Sequence, residues 1–393
     1  MYQSWIYTGV ADAVSIYLVN FIQLNDPTPF TLSKIISIGT SVPHYRHRQE
    51  EILLFMQRIY AFSDAEKRKL KFLYHQSGIV TRHSVIADYS RPLTEWKFYP
   101  HAENLEPFPS LEQRMAWYNK FAAPLSVDAI RACISSKLHP EDITHLITVS
   151  CTGMSAPGLD LQVMELMDLP SHIFRTSINF MGCYASVHAL RLAHAICETE
   201  KDAKVVVVST ELCTLHFQRD ATMDNIASSL LFADGAAAVL VTPDNHPGRG
   251  IRLFSFYSDV LKKGKKDMAW ELTSTGFQMT LSNYIPDLIE EDFGTLVGQA
   301  LKKNRLTPAD VGYWCIHPGG RKILESIHKS LHFNGGQLDA SYEVLKNYGN
   351  MSSPTILFVL ERIIKNLDFS RPQKIFGAAF GPGLTMETFL AGV

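Results

Sequence analysis

Apolar residues along this chain recur in two kinds of register, and the two alternate. Short runs with little polar interruption predict strands: Leu146 to Ser150, Lys204 to Ser209, Tyr313 to Ile316 and Lys374 to Phe380. Of these, Lys204-Val-Val-Val-Val-Ser209 reads as a parallel strand covered on both faces. Ile35 to Ser41 and Ile251 to Tyr257 add two more strands. Longer stretches, in which apolar positions return every three or four residues, predict helices. These are Gln49 to Tyr60, Leu111 to Ser136, Ile289 to Lys303, Arg321 to Leu331, and one opening near Asn350 and running to Lys365. After Cys183 the same period is carried by Ala185, Ala189, Leu192 or Ala193, and Ile196. Phe232-Ala233-Asp234-Gly235-Ala236 reads as a tight turn leading into a strand from Val239 to Thr242. The alternation runs through twice, on either side of the turn-rich stretch Asp244 to Gly250. That predicts an α/β fold of two related halves, residues 31–248 and 249–393, after an extension of residues 1–30.

Composition narrows the setting. A chain of 393 residues with 46% hydrophobic and 19% charged residues has ample material for a large core. Its net charge of −2 offers no polyanion-binding surface, so no nucleic acid is expected. Six cysteines form no C-x-x-C pair and no Cys/His cluster stands at ligand spacing; a reducing cytoplasm and no metal are expected. Ile6 to Ile22 is apolar but broken by Asp12 and Asn20, too interrupted for a secretory signal or a spanning helix. The extension reads as an amphipathic segment, a partner-contacting arm, or the product of an early start codon.

Three places join an ending strand or loop to a chemically useful residue. In Ile178-Asn179-Phe180-Met181-Gly182-Cys183, a strand meets a glycine and then the first turn of a helix. Unpaired N–H groups and the positive end of the helix dipole gather there, an environment that lowers a thiol pKa. His317 follows a strand and precedes Pro318-Gly319-Gly320, and Asn350 sits between Gly349 and a helix. A Cys–His pair supplies a nucleophile with its base, and an amide donor beside it can hold a thioester carbonyl. Each of the three, taken alone, is as compatible with a structural role. Lys67, Arg68, Lys69 and Lys71 form a basic cluster, either a solvated helix face or a clamp for a phosphate-bearing ligand.

Together, Gly182-Cys183-Tyr184-Ala185, Ile316-His317-Pro318-Gly319-Gly320, Gly349-Asn350-Met351-Ser352-Ser353 and Phe380-Gly381-Pro382-Gly383 resemble the type III polyketide synthases, from about Ile35 to the C-terminus. The resemblance implies a thiolase fold: two duplicated α/β halves in a layered α-β-α-β-α arrangement, paired into a homodimer. It implies an acyltransferase that condenses an acyl-CoA starter with malonyl-CoA, using no cofactor beyond these CoA thioesters. By resemblance Cys183 carries the growing chain, while His317 and Asn350 hold the malonyl thioester. Ser352 and the Gly381-Pro382-Gly383 loop border the substrate, Phe232 stands where the CoA tunnel meets the cavity, and Lys69 and Lys71 lie near the CoA-binding basic residues. A partner-reaching methionine falls on Ala156, with Met154 as the alternative.

Three further positions depart from the plant pattern. Met279 replaces a second gate phenylalanine, Trp270 a cavity glycine, and His216 a cavity threonine. The last two add bulk, so a planar chalcone-type tetraketide is put in question in favour of another resorcinol, pyrone or phloroglucinol type of product. Two rival readings remain: a ketoacyl-ACP synthase III, which shares Cys-His-Asn, and a non-catalytic thiolase-fold dimer partner. The Phe380-Gly-Pro-Gly383 loop and Met351-Ser352-Ser353 oppose the first, the intact triad the second.

Overall fold

The computed structural model describes residues 32–60, 62–265, 267–282 and 284–393, so the expected 1–30 extension lies outside the described residues. In chain order its strands are β1 (Ser33–Ser41), β2 (Tyr45–Arg48), β3 (Thr81–Ser84), β4 (His145–Ser150), β5 (Phe174–Asn179), β6 (Val205–Leu212), β7 (Asp234–Pro243), β8 (Ile251–Val260), β9 (Met268–Thr273), β10 (Gly276–Leu281), β11 (Tyr313–Ile316), β12 (Lys374–Gly381) and β13 (Thr385–Gly392). Its helices are α1 (Gln49–Ile59), α2 (Asp64–Gln76), α3 (Leu111–Ile134), α4 (Leu159–Leu166), α5 (Ala185–Thr199), α6 (Met223–Leu231), α7 (Ile285–Lys302), α8 (Arg321–Ser330), α9 (Asp339–Tyr348) and α10 (Thr355–Lys365).

Nine strands join in the order β11-β12-β13-β8-β1-β7-β6-β4-β5. The internal repeat shows in that order. Numbered within its own half, the first set runs 1-5-4-2-3 (β1-β7-β6-β4-β5). The second runs 1-5-4-2 (β8-β13-β12-β11), lacking only a third strand. The halves meet along just three pairs of β1 and β8, Ser33↔Leu253, Lys34↔Arg252 and Ile35↔Ile251. Beyond that short seam they splay, and α5 and α10 fill the gap.

Burial explains the layering. Alternate residues of one strand face opposite ways: Val205 and Val207 join α5 and α10 in the central core, whereas Val206 and Val208 face α3 in an outer one. In the second half Ile375 and Ala379 look inward to α10, and Phe376, Ala378 and Phe380 look outward to α7 and α8. The result is α-β-α-β-α, with β6 and β7 buried at every position. Parallel pairing of β6 with β4 agrees with its apolar run, although its other neighbour, β7, is antiparallel.

Two local expectations are corrected. Asp234 to Ala236 begin β7 rather than forming a turn. The Asp234 carboxylate accepts from Val85 N–H (2.9 Å), Thr214 N–H (2.8 Å) and Thr214 Oγ1 (2.7 Å), which lets a polar residue open a buried strand. Helix α10 starts at Thr355, not beside Asn350, because Ser352 takes a positive φ of 59°. Asn350 is thereby left outside the helix.

Candidate active site

After β5 the backbone turns sharply, with φ +59° at Phe180 and +79° at Gly182. A Cβ on Gly182 would stand 2.3 Å from Pro382 Cδ, so close approach as well as φ requires glycine there. Cys183 follows in the single 3-10 turn Gly182–Tyr184 and leads into α5. A Cβ on Gly381 would lie 2.5 Å from the Tyr184 ring, so the Gly381-Pro382-Gly383 loop is packed directly on the turn that carries Cys183. Within that loop Gly383 has φ +77°.

His317 extends the β11–β12 ladder by one bond, its N–H donating to Ala378 O at 2.9 Å. Asn350 is bound into the first half. It forms an isolated parallel bridge with Phe232, and its N–H donates to Leu231 O at 2.9 Å. Its side-chain orientation is fixed: Ser352 N–H donates to Oδ1 at 2.8 Å, and Nδ2 donates to Gly319 O at 3.2 Å, leaving a second amide hydrogen. Cys183, His317 and Asn350, which sequence alone could not place together, line one cavity of about 210 Å3. Its walls are largely apolar, with Leu231, Met268, Ile289 and Phe380 among them.

Electrostatics corrects the expectation of a lowered thiol pKa. Burial pushes the Cys183 thiol up to about 11, against a smaller opposing effect of the Ser352 hydroxyl 3.5 Å away. Taking an anion out of water outweighs the favourable helix entrance. Burial likewise lowers His317 to about 3, so its imidazole rests neutral. Neither His317 ring nitrogen has a hydrogen-bond partner among the described residues. A buried imidazole with both nitrogens unpaired is costly to the fold and open to a ligand.

Comparison with known proteins agrees with this geometry. The family models for the N-terminal and C-terminal domains of chalcone and stilbene synthases match residues 29–245 and 252–392. The chain belongs to the chalcone and stilbene synthase family of type III polyketide synthases. It is 30% identical to a putative chalcone synthase of Bacillus subtilis over 91% of this chain and 97% of that one. To the alpha-pyrone synthesis polyketide synthase-like protein of Mycobacterium tuberculosis it is 27% identical, over 95% and 94%. Among solved structures, PKS-I of the brown alga Ectocarpus siliculosus superposes with a TM-score of 0.87 at 27% identity, covering 93% of this chain and 100% of that one. These relatives establish the thiolase fold and a condensing acyltransferase.

In this synthase the cavity has three compartments. Beside the large one lie a chamber of about 20 Å3 next to Cys183 and an inner one of about 40 Å3. Phe232 and Met279 line all three, which places both where the compartments join. Trp270 borders the two small chambers and donates from Nε1 to Cys151 O at 2.7 Å. His216 lines the inner chamber only. Its ring stacks on Phe277 at 4.3 Å and is edge-on to Trp270. Phe277 N–H donates to Nδ1 (3.1 Å), so Nε2 carries the proton and donates to Thr152 O (2.7 Å). These three rings form a plug tied to the 151–152 backbone. Phe277 was missed; the signal available was the alternation Phe277-Gln278-Met279-Thr280-Leu281, which puts it on the same strand face as Met279.

Ser352 and Pro382 border the chamber beside Cys183, whereas Gly381 and Gly383 shape the loop without lining it. Lys69 and Lys71 are exposed and line none of the compartments. Lys69 shares a face of α2 with cavity-lining Leu73 and Gln76; Lys71, roughly 200° around the helix from Leu73, points away, which removes it from the expected set. Met154 and Ala156 are both exposed.

The sequence reading also missed Glu211. This fully buried carboxylate accepts from Cys151 N–H (2.9 Å), Thr152 Oγ1 (2.7 Å) and Ser353 Oγ (2.6 Å). Burial pushes it up to about 7. A carboxylate inside an apolar strand was the available signal.

Proposed function

We propose that this synthase condenses an acyl-CoA starter with malonyl-CoA on Cys183 and releases a small polyketide of the pyrone, resorcinol or phloroglucinol type. The observation that carries the reading is the meeting of Cys183, an unpaired neutral His317 and an oriented Asn350 in one apolar cavity. Cys183 passes its proton to His317 as sulfur attacks the starter carbonyl, and the departing CoA thiolate takes that proton away. The malonyl thioester carbonyl then accepts from His317 N–H and the free Asn350 amide hydrogen. Loss of CO2 leaves an enolate whose oxygen those donors stabilise in a site with little water. Its carbon attacks the Cys183 thioester, returning the thiolate and leaving the lengthened chain on CoA.

The test is purified protein with malonyl-CoA and a panel of aliphatic and aromatic acyl-CoA starters, products read by mass spectrometry. Carrier-free polyketide formation is expected. Activity only after a malonyl carrier protein is supplied would move the assignment to the ketoacyl-ACP synthase alternative.

The same proposal includes a homodimer in the cytoplasm, with the halves dividing near residue 248. Edge strand β5 is exposed at five of six positions, and Leu161, Leu166 and Phe174 leave apolar surface uncovered beside it. All six cysteines are free. Light scattering of the purified protein should give twice the mass of the chain, and a monomer would remove the dimer.

A further inference from the structure

The mouth of the large compartment has two walls of unequal charge. On the α2 side the lining residues are Leu73, Gln76 and Ser77, none of them charged, with Lys69 one turn further out on the same face. On the α8 side they are Gly319, Gly320, Arg321 and Lys322. Arg321 lays its stem across the turn after α2, where a Cβ on Gly78 would touch its Cδ at 3.4 Å. Its guanidinium also bonds Glu325 at 2.8 Å. Lys322 has no ion pair among the described residues. Both side chains are exposed at the entrance, and both stand in the first turn of a ten-residue helix, where cations repel the dipole. Among the described residues no carboxylate lines this compartment to offset them.

We propose that Lys322 and Arg321 hold the phosphates of the CoA substrates, with Lys69 facing them from α2. The inference rests on the CoA-thioester reading above and moves the anion-binding wall from α2 to α8. Two adjacent cations at the rim of a deep apolar compartment fit a ligand with a charged head and a long neutral arm. Of the two cations Lys322 contributes more, because Arg321 already shares its charge with Glu325. Since the contact lies at the rim, it adds to binding in the ground and transition states alike and raises affinity without altering the chemical step.

The experiment compares wild-type protein, Lys322→Glu, Lys322→Gln and, as a charge-matched control, exposed Lys137→Glu. Coenzyme A is titrated calorimetrically, and turnover is measured with malonyl-CoA and with the truncated N-acetylcysteamine thioester. Lys322→Glu should weaken CoA binding and raise KM for malonyl-CoA by about tenfold, Lys322→Gln by less, with kcat unchanged. The effect should shrink at high salt, and constants for the truncated thioester should stay put. Equal CoA affinity in Lys322→Glu and wild type overturns the proposal, as does an equal rise in KM for the truncated thioester. A malonyl carrier protein used in preference to malonyl-CoA overturns CoA as the source of the phosphate. Wild-type protein that turns over neither thioester defeats the condensation reading instead, and the CoA titration still decides the mouth.

Discussion

Trp270 and Met279 stand directly opposite each other across the antiparallel β9–β10 ribbon. Opposed residues of such a pair project to the same face, and here both side chains reach the chamber beside Cys183. One is rigid and fixed by its hydrogen bond to Cys151 O, the other unbranched and adaptable. The size of the space beside the nucleophile is therefore set by Trp270, while Met279 can yield to a passing chain. Trp270→Leu should enlarge the chamber and shift the product toward chains longer by at least one malonyl unit, read by mass spectrometry with the starter held constant. Leucine keeps part of the packing that a truncation to glycine or alanine would lose; since Trp270 is half-buried, that loss falls below the ~3–5 kcal/mol of a fully buried tryptophan. An unchanged product distribution would show that the chain grows elsewhere.

Decarboxylation and condensation should separate at Cys183. In the proposed mechanism His317 and Asn350 hold the malonyl carbonyl through bonds that do not involve the thiol; Asn350 is oriented by Ser352 N–H and Gly319 O. Cys183→Ala is expected to lose polyketide formation below detection while still releasing CO2 and acetyl-CoA from malonyl-CoA. Radiolabelled malonyl-CoA distinguishes the two outputs. Condensation at the wild-type rate in this variant would remove Cys183 from the chemistry.

The local pattern around Cys183 was legible because a strand, a glycine and a helix adjoin in sequence, and β5, Gly182 and α5 reproduce that order. His317 and Asn350 were legible only as strand-end and pre-helix residues. What joins them to Cys183 is the duplicated sheet, through contacts far apart in the chain such as the Phe232–Asn350 bridge. The ribbon β9–β10 was missed although it was legible: Met268, Trp270 and Leu272, then Phe277, Met279 and Leu281, alternate with small or polar residues at the two-residue strand period. Asp234 read as a turn residue because composition cannot show three donors converging on a carboxylate. The thiol pKa failed for a related reason. The helix entrance is visible in the sequence, but the burial that outweighs it belongs to the assembled fold.

The proposed mechanism assigns the reactivity of Cys183 at neutral pH to His317. With the thiol raised to about 11, an isolated Cys183 at pH 7 would be almost wholly protonated. In the proposed mechanism His317 takes the proton as the sulfur attacks rather than beforehand, because burial also lowers the imidazole to about 3. His317→Gln should slow alkylation of Cys183 by iodoacetamide at neutral pH by at least about tenfold, and the remaining reaction should accelerate as pH rises toward 11. Peptide mass spectrometry follows this residue among the six cysteines. Alkylation as fast as in the wild type would show that His317 is not the base.

Glu211 should give the stability a pH dependence of definite sign. Burial raises its carboxyl from the ordinary 4.5 to about 7, so the folded state favours the protonated form more than the unfolded chain does. Stability from this group is greatest below pH 4.5, declines as pH climbs from 4.5 to about 7, and is level above. At about 1.36 kcal/mol per pH unit, the total decline is on the order of 3 kcal/mol. Glu211→Gln removes the titration and keeps most of the contacts. Its amide oxygen can accept from Cys151 N–H and Thr152 Oγ1, and its NH2 can donate to a reoriented Ser353 hydroxyl. Urea unfolding of both proteins at about pH 4.5 and about pH 8 should show the variant gaining ~2–3 kcal/mol on the wild type between the two. A difference that stays constant with pH would mean that the Glu211 carboxylate is as well accommodated charged as neutral, with its hydrogen-bond donors offsetting the loss of water.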